Sequence, residues 1–265
     1  MPAPTAPPPF EAIKVSADGA TGELLLNRPE KLNALSGQML EELISAADWY
    51  SGQEEVKVVV VRGEGRAFSA GADLTTFGQS DADTSEEGRL QAADLGRRMA
   101  DALTDMRPVT IARIHGHCVG GGLVIAAACD LRIAAADTLF SIPEVDLGIP
   151  LAWGGIPRLV REIGPAATKE LVLTCREFGA EEAKSLGFLN RVVEPDRLEE
   201  QAKGLAAKLA SQPAYSLELT KRHVNAVAEE SGSTAGAEAD AESLLGALAD
   251  EESLVKMGEY LSSRG

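Results

Sequence analysis

The chain is most constrained by Ile111 to Gly122, IARIHGHCVGGG, and by the run Leu123–Cys129 that follows. An apolar β-type segment, Val109–Ile114, leads into His115 and Gly116, and three consecutive glycines then open a segment with no polar residue until Asp130. This reads as strand, glycine-rich turn and buried helix, since a helix apolar on every side must be covered on every side. The unpaired N–H groups of a helix's first turn, together with the positive end of its dipole, favour negative charge. Glycine also lets a ligand approach the backbone closely. An anion or a developing oxyanion could therefore be held there, inside the protein. The plainer reading is a tight turn whose glycines only permit close packing.

The rest of the chain fits around this unit. Glu11–Leu26 alternates about a turn at Ala17–Thr21 and predicts a hairpin. Ser36 is placed to cap a helix from Gly37 to Tyr50. Val56–Val61 is near-continuously apolar and predicts a strand buried on both faces. Gln79–Gly88 is small and acidic and reads as a mobile loop. Leu90–Met106 predicts a helix and Pro108–Ile114 a strand. Further strands are expected at Asp130–Ala134, Thr138–Ile142 and Arg191–Val193. Helices are expected at Gly155–Ile163, Thr168–Thr174, Ala180–Leu186, Leu198–Ser211, Pro213–Ala228 and Asp240–Ala249, the last after a loop at Glu229–Glu238. The expected organisation is a disordered Pro-rich tail over 1–10, an α/β core over 11–195, and a helical C-terminal region over 196–265.

Composition narrows the function. A net charge of −16 argues against nucleic acid and anionic membranes as partners. It leaves room for an anionic small ligand met by a few local cations. No apolar run reaches the ~18–20 residues of a membrane helix, and the start MPAPTAPPPF lacks the pattern of a secretory signal. The three cysteines, Cys118, Cys129 and Cys175, have no CxxC spacing. Buried thiols in a reducing cytoplasm are expected, with no metal site. The glycines do not form G-x-G-x-x-G or G-K-[ST], which removes the usual nucleotide loops. AFSAG, Ala67–Gly71, approximates a serine nucleophile elbow but lacks its first glycine, so a serine hydrolase is a weak alternative.

Six segments taken together carry a resemblance: NRPEKLNAL, GRAFSAGADL, HGHCVGGG, ACDLRIAA, IPEVDLGIP and LTCREFGAEEAKSLGFLNRVV. In kind and order they resemble the enoyl-CoA hydratase/isomerase, or crotonase, superfamily, from about Ile13 onward. The resemblance implies an α/β spiral of ββα units with C-terminal helices that serve oligomerisation, as a homotrimer or dimer of trimers, and cover the active site. It implies an acyl-CoA thioester as substrate, with coenzyme A arriving as part of it and no separate cofactor. Its carbonyl would sit in an oxyanion hole formed by the N–H groups of Ala72 and Gly121. Ala70, Asp73 and Leu74 would line the CoA groove.

The departure lies in the acid–base groups. Family members that add water use two glutamates, one two places after the glycine triplet and one in the Pro-Glu motif. Here the first position is Val124 and the second is Glu144. Water addition needs a pair of carboxyl groups, whereas one suffices to move a proton between the α and γ carbons of an enoyl thioester. The expectation thus leans to isomerisation over hydration, with a non-catalytic acyl-CoA-binding protein as the rival of another class. Glu144 could instead cap a turn or pair with Arg158. Asp146, two residues on, would share its face in an extended segment and is an alternative acid. Trp153 is expected to wall the acyl pocket.

Overall fold

The computed structural model describes residues 6–75 and 85–262. The chain opens with the hairpin of β1 (Ile13–Asp18) and β2 (Thr21–Leu26), a short 3₁₀ turn at Pro29–Lys31, and α1 (Gly37–Ser51). The expected cap is present: Ser36 Oγ accepts from Met39 N at 3.3 Å. Then come β3 (Val58–Gly63) and α2 (Glu86–Asp105). Of the expected mobile loop, 79–84 lies outside the described residues. Its end is helix instead: Ser85 caps α2, and Glu86 and Glu87 occupy the first turn, where the dipole favours acids.

The central part runs β4 (Val109–Ile114), β5 (His117–Val119), α3 (Gly121–Ala128), β6 (Leu131–Ala135), β7 (Leu139–Ser141) and α4 (Gly155–Thr174). The two helices expected over the last span run on into one another, bent at Gly164 (φ 75°, ψ 165°) ahead of Pro165. There follow β8 (Phe178–Gly179), α5 (Ala180–Ser185), β9 (Arg191–Val193), α6 (Leu198–Ala210), α7 (Ala214–Ser231), α8 (Asp240–Ala247) and α9 (Glu251–Ser262). Where one helix is expected over Asp240–Ala249, α8 is followed by a second, α9.

The strands form two sheets, ordered β1-β2-β3-β4-β6-β9 and β5-β7-β8. The larger is parallel except for the opening hairpin. A strand–strand–helix unit repeats along the chain. The first strand of each unit (β3, β4, β6) joins the large sheet. The second (a one-residue bridge at Ser69, then β5, then β7) runs parallel to its predecessor in the small one. The third element is α2, α3 or α4. This is the expected spiral of ββα turns.

The near-continuous apolarity of β3 is explained by two cores. Val59 and Val61 face the main core with Met39, Leu43, Ala112 and Ile114. Val58 and Val60 face the other side, where Leu198, Ala202, Leu205 and Ala206 of α6 cover the sheet. Residues of α6 at this spacing lie on one helical face. Helix α3 is buried at every position, as its composition demanded. Cys118 and Cys129 are buried and Cys175 is partly so, and all three are free thiols. Among the described residues no helix is long and apolar enough to cross a membrane, and no group of acidic, histidine or cysteine side chains is arranged to hold a metal ion.

Candidate active site

The loop that follows β3 is held beside the glycine turn by backbone pairing. Phe68 N donates to His115 O, Ser69 N to His117 O, and Val119 N to Ser69 O, at 2.9, 3.1 and 3.0 Å. Gly71 then approaches so closely that a methyl group added to it would come within 2.8 Å of Val119 O and 3.5 Å of Gly121 N. The pairing thus brings Ala72 and Gly121, 49 residues apart in sequence, to one place. Among the described residues, neither Ala72 N nor Gly121 N has a hydrogen-bond acceptor. Gly121 is the first residue of α3, so its N–H is one of the helix's orphan donors. Two unpaired donors next to a buried helix N-terminus are what a developing oxyanion requires.

Three side chains fix that loop: Asn33 and Arg28 are assigned no role from sequence, and Ser69 only that of the serine in AFSAG. Asn33, fully buried and left-handed at φ 55°, donates from Nδ2 to Glu64 O and Ala67 O, both at 2.9 Å. Its Oδ1 accepts from Arg28 N at 3.0 Å. Ser69 Oγ donates to Asn33 O at 2.8 Å and accepts from Gly71 N at 3.2 Å. Ser69 is therefore a buried strut, and the serine-hydrolase alternative loses its nucleophile. The third is Arg28, whose Nη2 pairs with Asp73 Oδ2 at 2.7 Å. The available signal was Asn33 in NRPEKLNAL, a residue type tolerant of left-handed backbone.

Asp73 is buried, and its carboxylate turns to Arg28, to Lys31 at 3.4 Å and to Thr75 Oγ1 at 2.6 Å. Burial pushes its pKa up, but the hydrogen bonds from Thr75 and Arg28 outweigh that and hold it at about 2. It ties the Arg28 segment to the Ala72 loop. Ala70 is half-buried, with its N–H on Leu32 O at 2.9 Å. Leu74 packs into a small apolar cluster with Leu147, Ile149 and Leu244.

Glu144 reaches the glycine turn from the loop after β7. The segment Pro143–Gly148 winds as helical turns, with Leu147 N on Pro143 O at 3.0 Å and Ile149 N on Glu144 O at 2.9 Å. The Glu144 carboxyl packs on the α-carbon of Gly120: any side chain there would overlap Oε1. Gly120 has φ +48°, ψ −115°, backbone that only glycine takes readily. Part of Glu144 is exposed, but Oε2 is shut off from solvent and has no hydrogen-bond partner among the described residues. Burial raises the pKa to about 7, opposed only by a bond to its own backbone N–H. A buried carboxyl with an idle oxygen and a pKa near neutrality is suited to taking up and returning a proton.

Two expectations about Glu144 change. Arg158 is not its partner: Arg158 Nη2 pairs with Asp101 Oδ1 at 2.7 Å. Asp146 does not share its face, because the segment is wound rather than extended and residues two apart diverge by about 200° at 3.6 residues per turn. Asp146 is exposed, with its N–H on Cys175 Sγ at 3.4 Å. Val124 is 1% exposed and packs by Gly155 and Leu151, with no acid at that position. Trp153 lies against Gly121. A separate surface hollow of about 350 Å³, lined by Ala136, Val192, Glu194 and Arg197 among others, shares no residue with this site.

The sequence model of the enoyl-CoA hydratase/isomerase family matches residues 17–261. The chain is 35% identical over 214 residues to the short-chain-enoyl-CoA hydratase of Clostridium acetobutylicum, 80% of each chain. It is 33% identical over 217 residues to the crotonyl-CoA hydratase of Syntrophomonas wolfei, 82% of each. It is also similar to the crystal structure of a probable enoyl-CoA hydratase from Mycobacterium smegmatis, with a TM-score of 0.78, 33% identity, and coverage of 89% of this chain and 93% of that one.

Proposed function

We propose, since the chain belongs to the enoyl-CoA hydratase/isomerase family, that it binds an enoyl-CoA thioester and moves a proton at the substrate's α-carbon, with isomerisation of the double bond favoured over hydration. The thioester oxygen takes the N–H groups of Ala72 and Gly121, which carry no other acceptor among the described residues. Negative charge gathers on that oxygen as the α-proton leaves, and the two donors are already oriented for it. Glu144 accepts the proton and returns it at the γ-carbon. The observation that carries this reading is the Glu144 carboxyl itself: buried, idle at Oε2 and poised near pH 7.

The lean to isomerisation rests on Val124, where the two-glutamate pattern has an acid. Hydration is the second reading, favoured by the names of the relatives. Wild-type turnover of an α,β-enoyl-CoA and a β,γ-enoyl-CoA separates the two. Isomerisation is expected to exceed hydration, and Val124→Glu is expected to raise hydration. The gain is limited, because a new carboxylate in an apolar wall is costly to ionise. Wild-type hydration faster than isomerisation would reverse the order. Stoichiometric binding of either thioester without turnover would favour a non-catalytic acyl-CoA-binding protein.

A further inference from the structure

Trp153 stands in the loop between the Glu144 turn and α4, with backbone at φ 62°, followed by Gly154 at φ 67°. A bulky residue seldom adopts this region, and where one does, the surroundings hold it there. The holding contacts are visible. Gly154 N donates to Asp240 Oδ2 of α8 at 2.8 Å, and Gly155 N closes a turn on Ala152 O at 3.0 Å. The indole is thereby driven between α2 and α3. It meets each helix at a glycine, Gly96 on α2 and Gly121 on α3, and a methyl group added to either would overlap its ring. Leu35 Cδ1 lies 3.1 Å from where a Gly121 side chain would begin and completes the apolar wall.

Adjacent residues of the glycine turn therefore carry different walls. Glu144 lies over Gly120 and Trp153 over Gly121, with α-carbons about 3.8 Å apart. A thioester oxygen held on Gly121 N brings the first acyl carbons between the carboxyl and the indole. Each further carbon has to displace a ring that has no slack, because both backbones already touch it. We infer that Trp153 is the specificity-determining residue of the acyl pocket and restricts it to short acyl chains. This rests on the acyl-CoA reading above.

The test is competitive binding of saturated butyryl-CoA and decanoyl-CoA to wild type, Trp153→Ala and Trp153→Phe, by isothermal titration with folding checked by circular dichroism. The quantity read is the ratio of the two affinities, which cancels the shared CoA contacts. Trp153→Ala is expected to move that ratio toward decanoyl-CoA by roughly tenfold or more, the scale a few methylenes command in an apolar pocket. Trp153→Phe is expected to move it the same way by less, and it serves alone if the alanine variant does not fold. An unchanged ratio in the folded variants overturns the inference while leaving the acyl-CoA reading standing. Failure of wild type to bind either thioester overturns both.

Discussion

Glu144 gives up its proton at different pH in the folded and unfolded chain, and this makes its burial measurable. Its carboxyl is raised by desolvation from 4.5 to about 7. Between these values the folded state holds a proton that the unfolded state has released, so this group's contribution to stability falls as pH rises through the window and levels off above it. The full cost is on the order of 3 kcal/mol at most. Glu144→Gln removes the titration. Relative to wild type, the variant should gain about 1–3 kcal/mol between pH 4.5 and a pH above 7 in urea denaturation. A wild-type-minus-variant difference that does not change with pH would place the carboxyl in water. Glu144 was legible as the acid of IPEVDLG. Its face was not, because winding of Pro143–Gly148 is set by packing against residues distant in sequence, and that same winding turns Asp146 outward to solvent.

Among the elements, those with a strong period of their own were readable: the hairpin, α1, β3, α3 and α6 all lie close to where patterning put them. The three-residue β5 and two-residue β8 were not, since each exists only through its partners, β7 and, for β5, Ser69 as well. Helix α9 was missed because its apolar positions are sparse, and Leu254, Val255 and Leu261 remain exposed. Helix α6 is more than a terminal extension, because it closes the second core. Leu198 is 2% exposed and packs with Val58, Ile111 and Ile133. Leu198→Ala should cost about 2–4 kcal/mol, read as a lowered urea midpoint with unchanged slope. A loss within about 0.5 kcal/mol, the range of surface substitutions, would mean that α6 is not integral to the fold.

For the whole molecule, the large sheet and the helices packed on it form a scaffold that carries one candidate donor, Gly121 N, at the start of α3 and the other, Ala72 N, with Glu144, in loops. The family resemblance carries an expectation of a homotrimer or dimer of trimers, and α7 offers a surface for one: Tyr215, Val224 and Val227 are each more than half exposed. Sedimentation equilibrium should give three or six times the 27.8 kDa chain mass. Val224→Glu with Val227→Glu should shift the population toward monomer if that face is used, and a wild-type monomer would refute the expectation. The claim at the centre is narrower than assembly or chain length: Glu144 exchanges a proton at the α-carbon of a thioester held by Ala72 and Gly121. Mass spectrometry of a β,γ-enoyl-CoA incubated in deuterated water with wild type and with Glu144→Gln addresses it directly. With wild type the product should carry the returned proton, or a deuteron exchanged for it on Glu144, at its γ-carbon, and both conversion and label entry should fall roughly 10²–10⁴-fold with the variant, the range removal of a general base commands. Equal rates with both proteins, or neither conversion nor label entry with wild type while the thioester binds, would contradict it.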